Sequence, residues 1–454
     1  MPQIPFNVDA YAAKLFGREN VSKIDGAILE LVKNTYDADA SICFLYYEQT
    51  TNTLYIGDNG TGMTKDVILR HWMTIGNSSK SSIIKTRKGR IQTGAKGIGR
   101  FALDRIADNC TMLTISEAEH LLWTVDWSSF ASGQYITDIT ASLEEINIPF
   151  DVFIKNTINP AVIDLIKEKY QTTGTIFKLT NLRDEWDIDL LKNIKLNLQT
   201  LIPPEFKEIF NIYLFEENTS LYDAELLRES NAFPFDYKIN FTAFTDGKVL
   251  VKIYRDEFDF GIYFDKILTE AGFTTEDRKY FNGTPIEYQY TFSNLIGGKN
   301  PIENTIGNFS GTLYFAKLSA PKEERQKYYY KDITGRPDIR DSFGGIRIYR
   351  DGFRVRPYGD PNTSSYDWLM LAKRKNQSPA AVSHESGAWR VNADQIHGSL
   401  FISKTNLSDE LMCCIPDKLS EIELEDKAIG DILTAFLNTL SEDNRLIFMR
   451  RYWY

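Results

Sequence analysis

The stretch ELVKNTYDADA, Glu30 to Ala40, constrains the fold more than any other segment of the chain. It continues NVSKIDGAI, and together the two read as one amphipathic helix. At helical pitch, Glu30, Asn34 and Asp37 fall within about 60° of one another. Ile24, Ile28, Leu31 and Val32 occupy a different arc, roughly 90–180° away. One helix therefore carries a core stripe and a separate polar stripe of the form E-x-x-x-N-x-x-D-A. A solvated face and a functional face both fit such a stripe. A solvated face usually draws on long Lys and Glu side chains, however, and Asn is a poor helix former. Ser22 followed by Asp25 predicts the N-terminal cap.

The segments beyond the helix narrow the choice. ICFLYYEQTTNTLYIGDNG reads as two strands joined by a turn. YIGDNGTGM then places Asp58, Gly60, Gly62 and Met63 just after the second strand. Glycines there permit a tight turn and close backbone approach to a ligand. An aspartate leaving an apolar strand is placed to accept a hydrogen bond from a planar amino group, although DNGTGM alone is also an ordinary turn. GAKGIGRFALDRIAD next sets Gly94, Gly97 and Gly99 at the opening of a helix, where backbone N–H groups hold phosphate. Its spacing is neither G-x-G-x-x-G nor G-x-x-x-x-G-K-[ST]. Lys96 and Arg100 either add charge beside a phosphate or face water. A fourth segment, TTGTIFKL, sets Gly174 and Thr175 on a strand. Each motif alone is weak; the four in this order are specific.

Bulk properties exclude several classes. A chain of 454 residues predicts two or three domains. Its hydrophobic content of 43% and charged content of 25% fit a soluble globular protein. A net charge of −10 argues against a generic polyanion binder and leaves room only for a local basic patch. No apolar run approaches the roughly 18 residues of a membrane span. MPQIPFNVDAYAAKLFG lacks the charged leader and apolar block of a secretory signal. Cys43, Cys110, Cys413 and Cys414 show no CxxC spacing, so reduced thiols in a cytoplasmic protein are expected. His71, His120, His384 and His397 are scattered and read as structural or surface residues.

Beyond the motifs, FALDRIADNCTMLTI reads as helix then strand, and IDLLKNIKLNLQTLI as a helix. The second half is richer in strand. INFTAFTDGKVLVKIYR is a hairpin turning at Asp246-Gly247, and FSGTLYFAKL and GGIRIYRDGFRVRPYG are further strands. PKEERQKYYYKDITGRPDIRDS is polar and reads as an insertion or mobile loop. The chain from about Ser408 onward reads as helical and acidic.

The ordered motifs resemble the GHKL ATPase superfamily, which includes gyrase, the large heat-shock chaperones, histidine kinases and MutL, with MORC proteins as relatives. The resemblance covers residues 20–180, and Trp72–Ser82 is similar to the approach to the lid in MORC-like members. It implies an α+β fold: a two-layer α/β sandwich ATPase domain, a mixed sheet covered by helices, over residues 1–190. A weaker resemblance implies a ribosomal-protein-like α+β transducer domain over 191–405. The tail, 406–454, resembles part of a bacterial sigma factor, and an ordinary amphipathic helix pair reads equally well there.

The resemblance also implies roles. Glu30 matches the general base that orients water, and Asn34 the residue that holds Mg2+. Asp58 matches the adenine-reading carboxylate, supported by Thr175, with Gly60, Gly62 and Met63 shaping the base pocket. Gly94, Lys96, Gly97 and Gly99 match the lid around the triphosphate, and Asp37 supports the pocket. Lys375, with Lys373 and Arg374 beside it, matches a transducer residue reaching the γ-phosphate; a solvated basic loop is the alternative. The implied activity is ATP hydrolysis with Mg2+, lid closure and ATP-dependent homodimerisation as a clamp on a protein or DNA client, without a membrane role. A nucleotide-sensing regulator without catalysis is the second reading. A histidine kinase is the third, though an upstream acceptor hairpin has little room before the helix.

Overall fold

Helix α1, Ile24–Asp37, has the two faces that its sequence demands. Ile24, Ala27, Ile28, Leu29, Leu31, Val32, Thr35, Tyr36 and Asp37 are buried, whereas Asp25, Gly26, Glu30, Lys33 and Asn34 remain partly open along one side. Its N-cap position is Lys23, which makes no side-chain capping bond, and the cap expected from Ser22 and Asp25 falls in part outside the described residues. Asp25 accepts from Asn197 Nδ2 at 2.8 Å, a bond across to a neighbouring helix. Ser22 lies outside the described residues. The computed structural model describes most of residues 23–403 together with Asp9. Outside the description lie the other residues before 23, 75–84, 93–100, 130–134, 204–208, 219–224, 227–234, 270–275, 295–307, 319–321, 323–325, 373–390, 404–454 and some single or paired positions.

The chain divides into two compact units, Met1–Glu229 and Ser230–Tyr454. In the first, β1 (Ile42–Glu48) and β2 (Thr53–Asp58) form the expected hairpin after α1. Helix α2 (Phe101–Ile106) runs into β3 (Ala107–Ile115), followed by β4 (His120–Asp126) and β5 (Ser142–Glu145). Helix α3 (Pro160–Lys169), β6 (Gly174–Leu182), α4 (Ile188–Gln199), β7 (Asn211–Glu216) and β8 (Glu225–Leu226) complete the unit. The sheet order is β5-β4-β3-β6-β2-β1-β7-β8, and it is mixed, because β1 and β7 run parallel. Every residue of β1 and β2 is buried, as expected for central strands covered on both faces. Phe44, Tyr46 and Tyr55 share a core with Ala161, Val162, Leu165 and Ile166 of α3. Cys43 alternates with Ile42, Phe44 and Tyr46 and so faces the other side of β1, where Thr35 of α1 lies beside its thiol. Cys43 and Cys110 are both free and buried.

The second unit holds β9 (Tyr237–Ala243), β10 (Lys248–Arg255), α5 (Phe260–Thr269), β11 (Ile286–Thr291), β12 (Phe309–Phe315), β13 (Ile346–Arg350), β14 (Phe353–Val355) and β15 (Ile396–Ile402). Its sheet runs β11-β10-β9-β12-β15-β13-β14. Burial alternates along β9, β10 and β12, so one face carries the core. Gly247, at φ 80°, turns the β9–β10 hairpin as its Asp-Gly sequence predicts. The polar segment 321–342 is held in its described part. Tyr330 stacks on Phe258, and Arg336 grips the buried Asp236 through two bonds of 2.8 and 3.1 Å. His397 is sandwiched between Tyr314 and Phe343, and burial beside Arg347 pushes its pKa down to about 3. It is a neutral structural residue. No helix among the described residues is long and apolar enough to cross a membrane. Lys373, Arg374, Lys375 and the tail 406–454 lie outside the described residues.

Asn159 joins three parts of the first unit. Its Nδ2 donates to the Glu216 carbonyl at 2.7 Å, its Oδ1 caps Ala161 N at 2.8 Å, and its N–H donates to Tyr46 Oη at 3.2 Å. Asn159→Ala should therefore cost roughly 1–3 kcal/mol, read as a lowered thermal or urea transition. An unchanged transition would show that these buried bonds hold nothing together.

Candidate functional site

Asp58 ends β2 in the middle of the sheet, opposite Cys43 of β1 and Thr175 of β6. It is 4% exposed. Burial pushes its carboxyl pKa up to about 7, opposed by the Gly60 N–H, which donates to Asp58 Oδ1 at 2.8 Å. No cation among the described residues pairs with Asp58, so the carboxyl is an acceptor waiting in a dry place.

The loop beyond it is shaped by close approaches. A side chain at Gly60 would lie 2.5 Å from the Ala38 carbonyl oxygen. Gly62 has φ 65°, and a Cβ there would meet the Ile115 carbonyl oxygen at 2.1 Å. Both glycines are thus required by backbone packing. Met63 N donates to Thr114 Oγ1 at 2.8 Å, and Thr114 Oγ1 lies 3.0 Å from Thr175 Oγ1. A chain of hydroxyls therefore links Met63, Thr114 and Thr175 beside Asp58. Gly174, just before Thr175, has its Cβ position 2.2 Å from the Asp58 carbonyl oxygen, so the β6 backbone comes right up to the end of β2.

The loop is sewn to the end of α1. Thr61 N donates to Ala38 O at 2.9 Å, and Asn59 Oδ1 accepts from both Ser41 N and Ile42 N at 2.9 Å. Glu30 and Asn34 sit on the open side of α1, one turn apart; Glu30 Oε2 is 3.9 Å from Lys33 Nζ. Asp37, the third member of the stripe, is buried at the last helical position. The structure thus brings Asp58, Gly60, Gly62, Met63 and Thr175 into one cluster and ties it to the helix bearing Glu30, Asn34 and Asp37. Gly94, Lys96, Gly97, Gly99 and Lys375 lie outside the described residues. A groove of about 1010 Å³ lies elsewhere in the unit, lined by Tyr47, Trp186, Glu217 and neighbours, and holds none of the predicted residues.

Two contributors escape sequence reading. Thr114 is a single hydroxyl in an apolar strand, and its fully buried position is the only mark it carries. Asn59 reads as a turn residue, yet its side chain spans β1 and α3, with Nδ2 donating to Lys169 O at 3.3 Å. As a Mg2+ ligand Asn34 fits: its carboxamide is a hard oxygen donor on the open side of α1. Magnesium takes one or two protein ligands and fills its sphere with water and phosphate.

Residues 21–167 match the family described as histidine kinase-, DNA gyrase B- and HSP90-like ATPase. The chain is similar to "Chaperone protein HtpG" of Escherichia coli strain K12, 32% identical over 100 residues, which is 21% of this chain and 16% of the relative. The same protein of Escherichia coli O157:H7 matches equally, at 32% identity over 100 residues. The matched part thus spans 16% of the length of these relatives. These similarities support ATP binding by the first unit.

The raised Asp58 pKa fixes a sign. The folded state holds this proton up to about pH 7, and the unfolded chain releases it near the ordinary carboxylate value of about 4. Stability therefore falls as pH rises between those values and levels off above about 7. Asp58→Asn removes the effect, so this variant should gain stability relative to wild type as pH rises from about 5 to about 8. Parallel pH profiles in chemical denaturation would contradict the buried, proton-holding carboxyl.

Proposed function

We propose, from the premise that residues 21–167 form a GHKL-type domain of the histidine kinase-, DNA gyrase B- and HSP90-like ATPase family, that the chain hydrolyses ATP and uses the nucleotide as a conformational clamp. The observation that carries this reading is the single stitched assembly of the Asp58 loop and the Glu30–Asn34 face of α1.

Asp58 accepts a hydrogen bond from the amino group of adenine, with Gly60, Gly62 and Met63 admitting the flat base and Thr175 and Thr114 closing its polar side. Asn34 holds Mg2+, which when bound neutralises charge on the phosphates. Glu30, one turn earlier, accepts a hydrogen bond from the attacking water and orients it at the γ-phosphate. Glu30 keeps contact with solvent, so water reaches it without crossing the core. Asp37 fixes the end of the helix and does not touch the nucleotide. Gly94, Lys96, Gly97 and Gly99, outside the described residues, are assigned to the triphosphate on the strength of the family resemblance alone. Lys375, outside the described residues, is kept as the γ-phosphate contact that the resemblance implies. Nucleotide-dependent ordering brings two copies together through their first units and releases them after hydrolysis, acting on a protein or DNA client in the cytoplasm.

Glu30→Ala should lower turnover by about 100-fold or more while ATP still binds within a few-fold of wild type. Normal hydrolysis by this variant would remove Glu30 from the role. In sizing experiments, a non-hydrolysable ATP analogue should shift the wild-type chain from monomer to dimer. A chain that binds ATP tightly, turns none over and stays monomeric would favour a nucleotide-sensing regulator instead.

A further inference from the structure

Residues 85–91 fold into a tight turn that no motif identified. Lys85 bridges Ile91, Thr86 N donates to Arg90 O at 2.8 Å, Arg90 N donates back to Thr86 Oγ1 at 3.0 Å, and Gly89 takes φ 78°. From this turn Arg90 reaches into the first unit and is 9% exposed. Its guanidinium donates from Nη1 to Tyr36 O at 3.2 Å and to Ala40 O at 2.6 Å, and from Nη2 to Ile209 O at 3.0 Å. The same group lies over the Tyr36 ring, 4.4 Å from its centroid. Beside it, Lys88 N donates to Asp39 Oδ2 at 3.1 Å and Lys88 Nζ to Asp39 O at 2.7 Å. Asp39 stands at φ 62°, in the left-handed region.

We propose that Arg90 is a positioning residue for the reaction assigned above: it locks the turn at the C-terminal end of α1 and so fixes the Glu30–Asn34 face relative to the Asp58 loop. The physical grounds are three. A helix leaves its last carbonyls without intrahelical partners and with partial negative charge, so a cation there is favoured. One planar guanidinium meets carbonyls from residues 36, 40 and 209, which a lysine ammonium cannot reproduce in that geometry. The clamped turn is also the one whose Ala38 carbonyl receives Thr61 N–H and crowds Gly60, so any slackness in residues 36–40 is passed to the loop that carries Asp58. Arg90 reaches no reacting atom itself; it acts through Tyr36, Ala40 and the turn between them. Tyr36, Asp37 and Asp39 favour its charge against the cost of burial.

This inference rests on the ATPase reading, and its test separates the two. Turnover and ADP affinity are measured for full-length wild type, Arg90→Lys and Arg90→Ala, each normalised to folded protein by circular dichroism and thermal transition. Arg90→Lys should keep ADP affinity within about threefold, because the Asp58 strand remains in its sheet, while turnover falls about tenfold or more through misplacement of Glu30 and Asn34. Guanidinium ion at tens of millimolar should restore part of the Arg90→Ala turnover, and sodium ion or urea at equal concentration should not. If Arg90→Ala fails to fold, Arg90→Lys alone decides. A purely structural Arg90 would lower the thermal transition and leave turnover per folded molecule unchanged, with no guanidinium rescue, and that result overturns the proposal. Absence of nucleotide binding by wild type overturns the ATPase reading, and this proposal with it.

Discussion

The carbonyl of Ala38 is the seam of the first unit. It sits in the turn where α1 ends and receives the N–H of Thr61, so helix and loop meet backbone to backbone. Such an approach tolerates no Cβ at position 60, where one would lie 2.5 Å from that oxygen. The polar stripe of α1 and the acid at the end of β2 are therefore held in register by main chain. Side-chain rotamers at either motif can vary without changing the relation between the two segments. Function, if it needs a donor set from both, inherits that rigidity.

Asp58 shows what the seam makes possible. A carboxyl at the end of a central strand is kept from water by its neighbours, and one N–H from Gly60 offsets only part of that cost. In the proposed role an incoming amino group would supply the missing donor, so that a ligand would contribute what folding left out. Selectivity would arise in the same way, since a ligand that presents an acceptor at that point would leave the carboxyl unsatisfied. The Thr114–Thr175 hydroxyl pair gives the same corner a second, uncharged polar edge.

Much of this was legible in sequence where the signal was local. The helical period of residues 24–37, the hairpin of β1 and β2, the helix-to-strand switch at 101–115 and the Asp-Gly hairpin of the second unit all follow from periodicity and turn chemistry. The glycines at 60 and 62 were readable as a close approach, though the partner turned out to be the protein's own backbone at Ala38 and Ile115. The illegible part depends on distant pairing. Nothing in β1 announces that it runs parallel to β7, nearly the whole unit away in sequence, or that β6 inserts between β2 and β3. Nor does the start of α1 announce that Asp25 accepts from Asn197 on another helix. Arg90 and Thr114 are single residues of common type, and only the fold gives them partners. The glycines at 94, 97 and 99, Lys375 and the tail stay sequence-based expectations, outside the described residues.

The most direct measurement is a crystal structure of the full chain with magnesium and a non-hydrolysable ATP analogue, read at one distance. The account predicts the exocyclic amine of adenine at hydrogen-bond range of the Asp58 carboxyl, about 2.9 Å, with the phosphates on the side of α1 that carries Glu30 and Asn34. A nucleotide seated elsewhere, such as the groove beside Trp186, with Asp58 untouched, would contradict it.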